Sequence, residues 1–125
     1  MNQQNEILKR EKLKVIDWLV EHFPAAFYKK YNQLKPLKIG IFDDIMDFYQ
    51  RLDSPTFSKK LLREALNYYS SSPAYLHCQK INSPRIDLFG NEVDLVTEEQ
   101  ARYAQQRYQQ RYASKNKSND NISEQ

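Results

Sequence analysis

The sequence predicts a mainly α-helical (α+β) domain of about five to six helices with a small β-hairpin. Three observations carry this. Apolar residues recur at spacings of three and four in several stretches, residues that start helices stand at the heads of those stretches, and one short alternating run ends in Gly90-Asn91. At 125 residues the chain fits one domain, and its 40% hydrophobic residues suffice for a core despite a mean hydropathy of −0.85.

Residues 5–23 read as the first helix, with Leu13, Ile16, Leu19, Val20 and Phe23 on one face and Lys12, Lys14, Asp17 and Glu21 off it. Pro24 breaks it, and residues 25–31 are expected to form a short second helix. Residues 32–40 make a connector holding Pro36 and Gly40. A third helix is expected over residues 42–52, with Ile41, Ile45, Phe48 and Leu52 forming its buried stripe. Asp43, Asp44 and Asp47 stand off that stripe as a solvated acidic first turn, which the helix dipole favours. Ser58 is placed to cap a fourth helix running to about Tyr69, built on Leu62, Ala65, Leu66 and Tyr69. Ser72 followed by Pro73 has the form of an N-cap with proline at the first helical position, opening a short helix through His77.

Strands are expected at residues 79–81 and 85–88, where Ile86 and Leu88 alternate with Arg85 and Asp87 before the Gly90-Asn91 turn. Thr97-Glu98-Glu99-Gln100 has the capping-box pattern, in which two side chains satisfy the first free amides, and opens a last helix to about Tyr112. From Ser114 on, polar and charged residues dominate. The expected organisation is therefore a domain over residues 1–113 and a disordered polar tail over 114–125.

Composition narrows the function classes. The single cysteine, Cys78, excludes an internal disulfide and fits a reducing compartment. The first residues are polar and charged, unlike a signal peptide, and no stretch approaches the roughly 18 apolar residues of a membrane span. A cytoplasmic protein is expected. His22 and His77 have no metal-ligand spacing, and Cys78 beside His77 would point about 100° away from it in a helix. Gly40 and Gly90 are isolated, so no phosphate-cradling loop is present. Neither an enzyme nor a cofactor is expected.

The net charge of +3 is mild, so the distribution of basic residues matters more than their sum. Lys59 and Arg63 are four apart and share a helix face. Lys35 and Lys38 bracket the connector, while Lys80 and Arg85 fall on the expected hairpin. Each alone reads as a solvated cation; jointly they fit a phosphate-binding patch. Ser71 and Ser72 precede a helix start, which serves either as ordinary capping or as an anion site. Tyr75 fits either a core position or a contact to a nucleotide. Tyr103, Arg107 and Arg111 repeat at four on the last helix, with Ala101, Ala104 and Tyr108 on a neighbouring face, which together read as a docking stripe flanked by a solvated basic ridge.

The run Lys35-Pro36-Leu37-Lys38-Ile39-Gly40-Ile41-Phe42, followed by Asp44, resembles the first motif of ProQ/FinO domains. Leu62-Arg63-x-Ala65-Leu66-x-x-Tyr69-x-Ser71-Ser72-x-x-Tyr75-Leu76 is similar to their second, and Arg85-Ile86-Asp87-Leu88-x-Gly90-Asn91 to their third. The motifs occur in family order over about residues 7–112. The resemblance implies an RNA chaperone that binds structured RNAs, small RNAs and mRNA 3′ hairpins with single-stranded tails, as in intrinsic terminators. It implies a pocket for the 3′-terminal nucleotides at Tyr75 and Arg85. The RNA-facing cations would be Lys38, Lys59 and Arg63, with Lys35 and Lys80 at other basic positions and Ser71 and Ser72 near the backbone. The chain resembles a minimal member without long basic extensions. It departs from the pattern at Asn67, where some members carry arginine, and at Pro73 and Ala74, where aromatic and basic residues are common. No strong dimerisation stripe is visible, so a monomer is expected. The rival reading is a helical protein-interaction module built on Tyr103, Tyr108 and Tyr112.

Overall fold

The computed structural model describes residues 3–113. The chain runs through α1 (Gln3–His22), a single 3₁₀ turn (Tyr31–Gln33), α2 (Ile41–Gln50), α3 (Lys59–Ser70) and α4 (Pro73–Cys78). It continues through β1 (Pro84–Ile86), β2 (Glu92–Leu95) and α5 (Glu98–Tyr108), closing on a π-helical turn (Gln109–Ala113). Five α-helices and one antiparallel hairpin make the mainly helical fold that the sequence predicts.

The helix starts form as their residues dictate. Ser58 accepts a hydrogen bond from the Leu61 amide, and Ser72 accepts one from Tyr75 with Pro73 at the first helical position. Thr97 and Gln100 complete a reciprocal capping box. At the head of α2, Gly40 takes a left-handed φ of 83°, a conformation open to glycine at little cost.

α1 packs along α3, and the core lies between them, α2 and the hairpin. Leu19, Phe27, Ile45 and Leu62 are fully enclosed in it. At one end Trp18, Phe23, Phe48 and Phe57 meet edge-to-face or tilted, the arrangement that aromatic quadrupoles favour.

Several sequence expectations are corrected. Leu13 is exposed and Val15 takes the buried place on α1. Residues 25–31 do not form a helix. Hydrogen bonds from the Ala26 and Phe27 amides to the Phe23 carbonyl make only a turn, because Ala26 and Phe27 both enter the core and the Tyr28 amide donates to Tyr69 Oη. Tertiary burial outweighs local propensity there.

Residues 79–81 are not a strand either. Gln79 turns inward, Asn82 adopts a left-handed φ of 68°, and the partner of β1 comes from β2 across the Gly90 turn. On its other side β1 meets the connector. The Lys38 amide donates to the Ile86 carbonyl and the Ile86 amide to the Pro36 carbonyl, at 2.8 and 2.9 Å. Leu37 and Ile41 anchor the connector, whereas Ile39 between them stands 62% exposed. The expected tail, residues 114–125, lies outside the described residues.

Candidate nucleic-acid interface

β1, α4 and the connector converge on Arg85. Its side chain is 5% exposed, and its guanidinium donates to three neutral oxygens: Leu37 O at 2.9 Å, Gln79 Oε1 at 3.2 Å and Gln100 Oε1 at 3.1 Å. The buried Nε has no hydrogen-bond partner, and among the described residues no ion pair joins Arg85 to a carboxylate. Gln100 serves twice, since its Oε1 also accepts from the Thr97 amide. The α5 capping box thus holds one side of the arginine cradle.

Tyr75 lies beside it, buried, with its hydroxyl oxygen accepting from the Leu37 amide at 2.9 Å. That leaves the hydroxyl proton to donate. Burial raises the phenol's pKa more than the Leu37 amide lowers it, so Tyr75 stays a neutral donor. Of the two sequence readings, the ring belongs to the core, where it meets Tyr69 at 6.0 Å. It offers its polar tip rather than a stacking face.

Arg85 and Tyr75 line a cavity of about 410 Å³ between α4, α5 and the connector. Ile39 and Ser70 border it on one side, and Glu99, Tyr103 and Arg107 on the other. The α5 residues were not among the sequence-predicted site residues. Their signal was present in the spacing of four from Glu99 to Tyr103 to Arg107, but a stripe of mixed character also fits a solvated helix face.

The other predicted residues separate into groups. Lys59, Arg63 and Ser70 share one face of α3 at spacings of four and seven, a line about 16 Å long that ends at the cavity mouth. Lys59 is exposed, and Arg63 lies over the Phe42 ring at 4.9 Å, which orients its guanidinium without neutralising it. Lys38 is paired with the acidic turn of α2, so neither it nor Asp44 is simply solvated as the sequence reading of each has it. Its Nζ lies 2.8 Å from Asp44 Oδ2, and that carboxylate holds the ammonium above its ordinary pKa.

Ser71 is buried, with its Oγ accepting from Arg107 at 3.4 Å and its carbonyl from the Tyr112 hydroxyl at 2.9 Å, while Ser72 caps α4. Both serines serve the fold directly. Lys35 and Lys80 do not border the Arg85 cavity: Lys35 lies over the Tyr28 ring, and Lys80 lines a separate hollow with His77 and Tyr108.

The proposed tyrosine docking stripe also divides. Tyr108 stacks on His77 at 4.2 Å and Tyr112 is tied to Ser71, but Tyr103 is 62% exposed. Tyr31 Oη lies 2.5 Å from His77 Nδ1, so His77 fastens the 3₁₀ turn to α5. Cys78 beside it directs its thiol to the Tyr75 carbonyl.

Comparison with known proteins gives a consistent picture. The model of the ProQ/FINO family matches residues 9–121. The chain is 43% identical over 104 residues to the RNA chaperone ProQ of Aeromonas salmonicida, covering 83% of this chain and 48% of that protein. It therefore spans about half the length of the curated relatives it matches. The solution structure of a ProQ homolog from Legionella pneumophila is similar at a TM-score of 0.73 and 72% identity, over 81% of this chain and 83% of that one. A FinO-like RNA chaperone from Neisseria meningitidis shares the fold at a TM-score of 0.60 and 22% identity, over 88% and 87% of the two chains.

Proposed function

Since the chain belongs to the ProQ/FINO family, we propose that it is an RNA chaperone that binds structured RNAs at their 3′ ends. The observation that carries this reading is the buried Arg85 guanidinium, which has only neutral oxygens as partners, an Nε without a partner and a cavity beside it. An enclosed cation without a counter-ion costs several kcal/mol. Its retention is understandable where an anionic ligand completes the site. The likeness to proteins named RNA chaperone ProQ supports RNA as that ligand.

The mechanism has two parts. Lys59, Arg63 and the less available Lys38 neutralise phosphates of a hairpin stem along α3, with little sequence preference. The unpaired 3′ tail then turns into the cavity, where Arg85 supplies the positive charge and the Tyr75 hydroxyl donates to the terminal nucleotide. An A-form duplex hides its base edges in a deep, narrow major groove, so shape and 3′-end chemistry decide selectivity. The ligands are small RNAs and mRNA 3′ hairpins with single-stranded tails. The protein acts in the cytoplasm as a monomer, without cofactor or catalysis, through a domain over residues 1–113.

The test is a gel-shift comparison of one terminator-like hairpin ending in a 3′-hydroxyl or a 3′-phosphate. A free 2′,3′-diol can both donate and accept hydrogen bonds in the cavity and a 3′-phosphate cannot donate in the same way, so binding of the blocked end should weaken about tenfold, or roughly 1.4 kcal/mol. Arg85→Ala and Tyr75→Ala should weaken binding to the tailed hairpin far more than to a blunt duplex, once circular dichroism shows both variants folded. Equal affinity for the two ends would sink the pocket.

A further inference from the structure

We propose that Tyr103, held between Glu99 and Arg107 on α5, is a stacking platform for the base immediately 5′ of the terminal nucleotide, and so makes the protein selective for unpaired tails. The inference rests on the 3′-end reading above and assigns it a specificity-determining residue.

Tyr103 differs from the neighbouring tyrosines in what it touches. Tyr108 and Tyr112 are committed to His77 and Ser71, whereas Tyr103 leaves 62% of its surface in solvent. Helical spacing puts Glu99, Tyr103 and Arg107 on one face, and all three border the Arg85 cavity. The Arg107 guanidinium sits 5.8 Å from the centre of the Tyr103 ring and donates to Ser71 Oγ. These contacts tie the ring's neighbour to the α3–α4 junction. Across the mouth, Ile39 presents a second exposed apolar side chain, although its neighbours Leu37 and Ile41 are buried.

An aromatic ring with a cation one turn along the helix and an anion one turn back matches the parts of a nucleotide. The base lies on the ring, the phosphate faces Arg107, and a base or ribose donor faces Glu99. Position assigns the nucleotide. The terminal residue occupies the enclosed end at Arg85 and Tyr75, so the exposed rim meets the one before it. A paired penultimate base is already stacked in the duplex and cannot lie on Tyr103.

The experiment uses the full chain and a hairpin whose tail carries 2-aminopurine at the penultimate position. Binding of the unsubstituted protein should quench the probe, and Tyr103→Phe should quench it equally because the ring does the stacking. Tyr103→Ala should abolish the quench and weaken tailed-hairpin binding about tenfold, within the range of one base–aromatic stack. Its preference for a 3′-hydroxyl over a 3′-phosphate and its blunt-duplex affinity should persist. If Tyr103→Ala quenches and binds like the unsubstituted protein while the 3′-end preference holds, the platform is wrong and the pocket stands. If the unsubstituted protein shows no 3′-end preference, both fall.

Discussion

Cys78 shows how a side chain beside the cavity is silenced by its surroundings. Burial pushes its thiol up to about 11, against smaller opposing effects from Gln79 and Arg85, and its Sγ lies 3.1 Å from the Tyr75 carbonyl. A raised pKa favours the protonated form in the folded state. This contributes stability below the thiol's ordinary value of 9.0, which is lost as pH rises through about 11. At pH 8 iodoacetamide should therefore alkylate Cys78 on the order of 100-fold more slowly than a free thiol, and unfolding in urea should restore the rate. Alkylation of the folded protein at the free-thiol rate would contradict the burial described here. Arg85 and Tyr75 illustrate the limit of sequence at this scale. Their motifs single both out, but that Tyr75 accepts from the Leu37 amide and Arg85 donates to the Leu37 carbonyl depends on residues far apart in the chain.

At the scale of elements, local chemistry settles most helix starts and the hairpin turn, and contacts settle the strands. Ser58, Ser72 and Thr97 all cap as their spacing predicts. The strand expected at residues 79–81 fails because Gln79 is recruited to Arg85 and Asn82 turns the chain. Gly90 and Gly40 provide a graded test, since both have φ above 80°. A Cβ at Gly40 would meet nothing within 4 Å, whereas one at Gly90 would stand 3.0 Å from the Ala25 Cβ. Gly40→Ala should therefore cost about 1 kcal/mol of conformational strain. Gly90→Ala should cost more, because the hairpin tip must also move off Ala25. Urea denaturation of the two variants checks the order, and a milder Gly90→Ala would show that the tip yields freely.

The molecule as a whole divides its positive charge between a solvated line and a buried point. Lys59 and Arg63 on α3 offer screened, exchangeable charge, while Arg85 offers an enclosed one. Hairpin binding should accordingly weaken with salt, with a log–log slope of about −2 to −3 for two or three phosphate contacts on the solvated face. Lys59→Ala should make that slope shallower by about 1 and leave 3′-end discrimination intact. Titration at several salt concentrations measures both, and an unchanged slope would remove Lys59 from the interface. The helical fold class, the caps, the Gly90 turn and the motifs that single out Tyr75 and Arg85 are legible in the sequence, because these depend on neighbours within a few residues. Which cations are solvated, which tyrosine of α5 borders the cavity and where the connector pairs with β1 emerge on folding. Those outcomes depend on burial and on hydrogen bonds between distant segments, such as Arg85 to Leu37 and Lys38 to Ile86, whose energies no local pattern encodes.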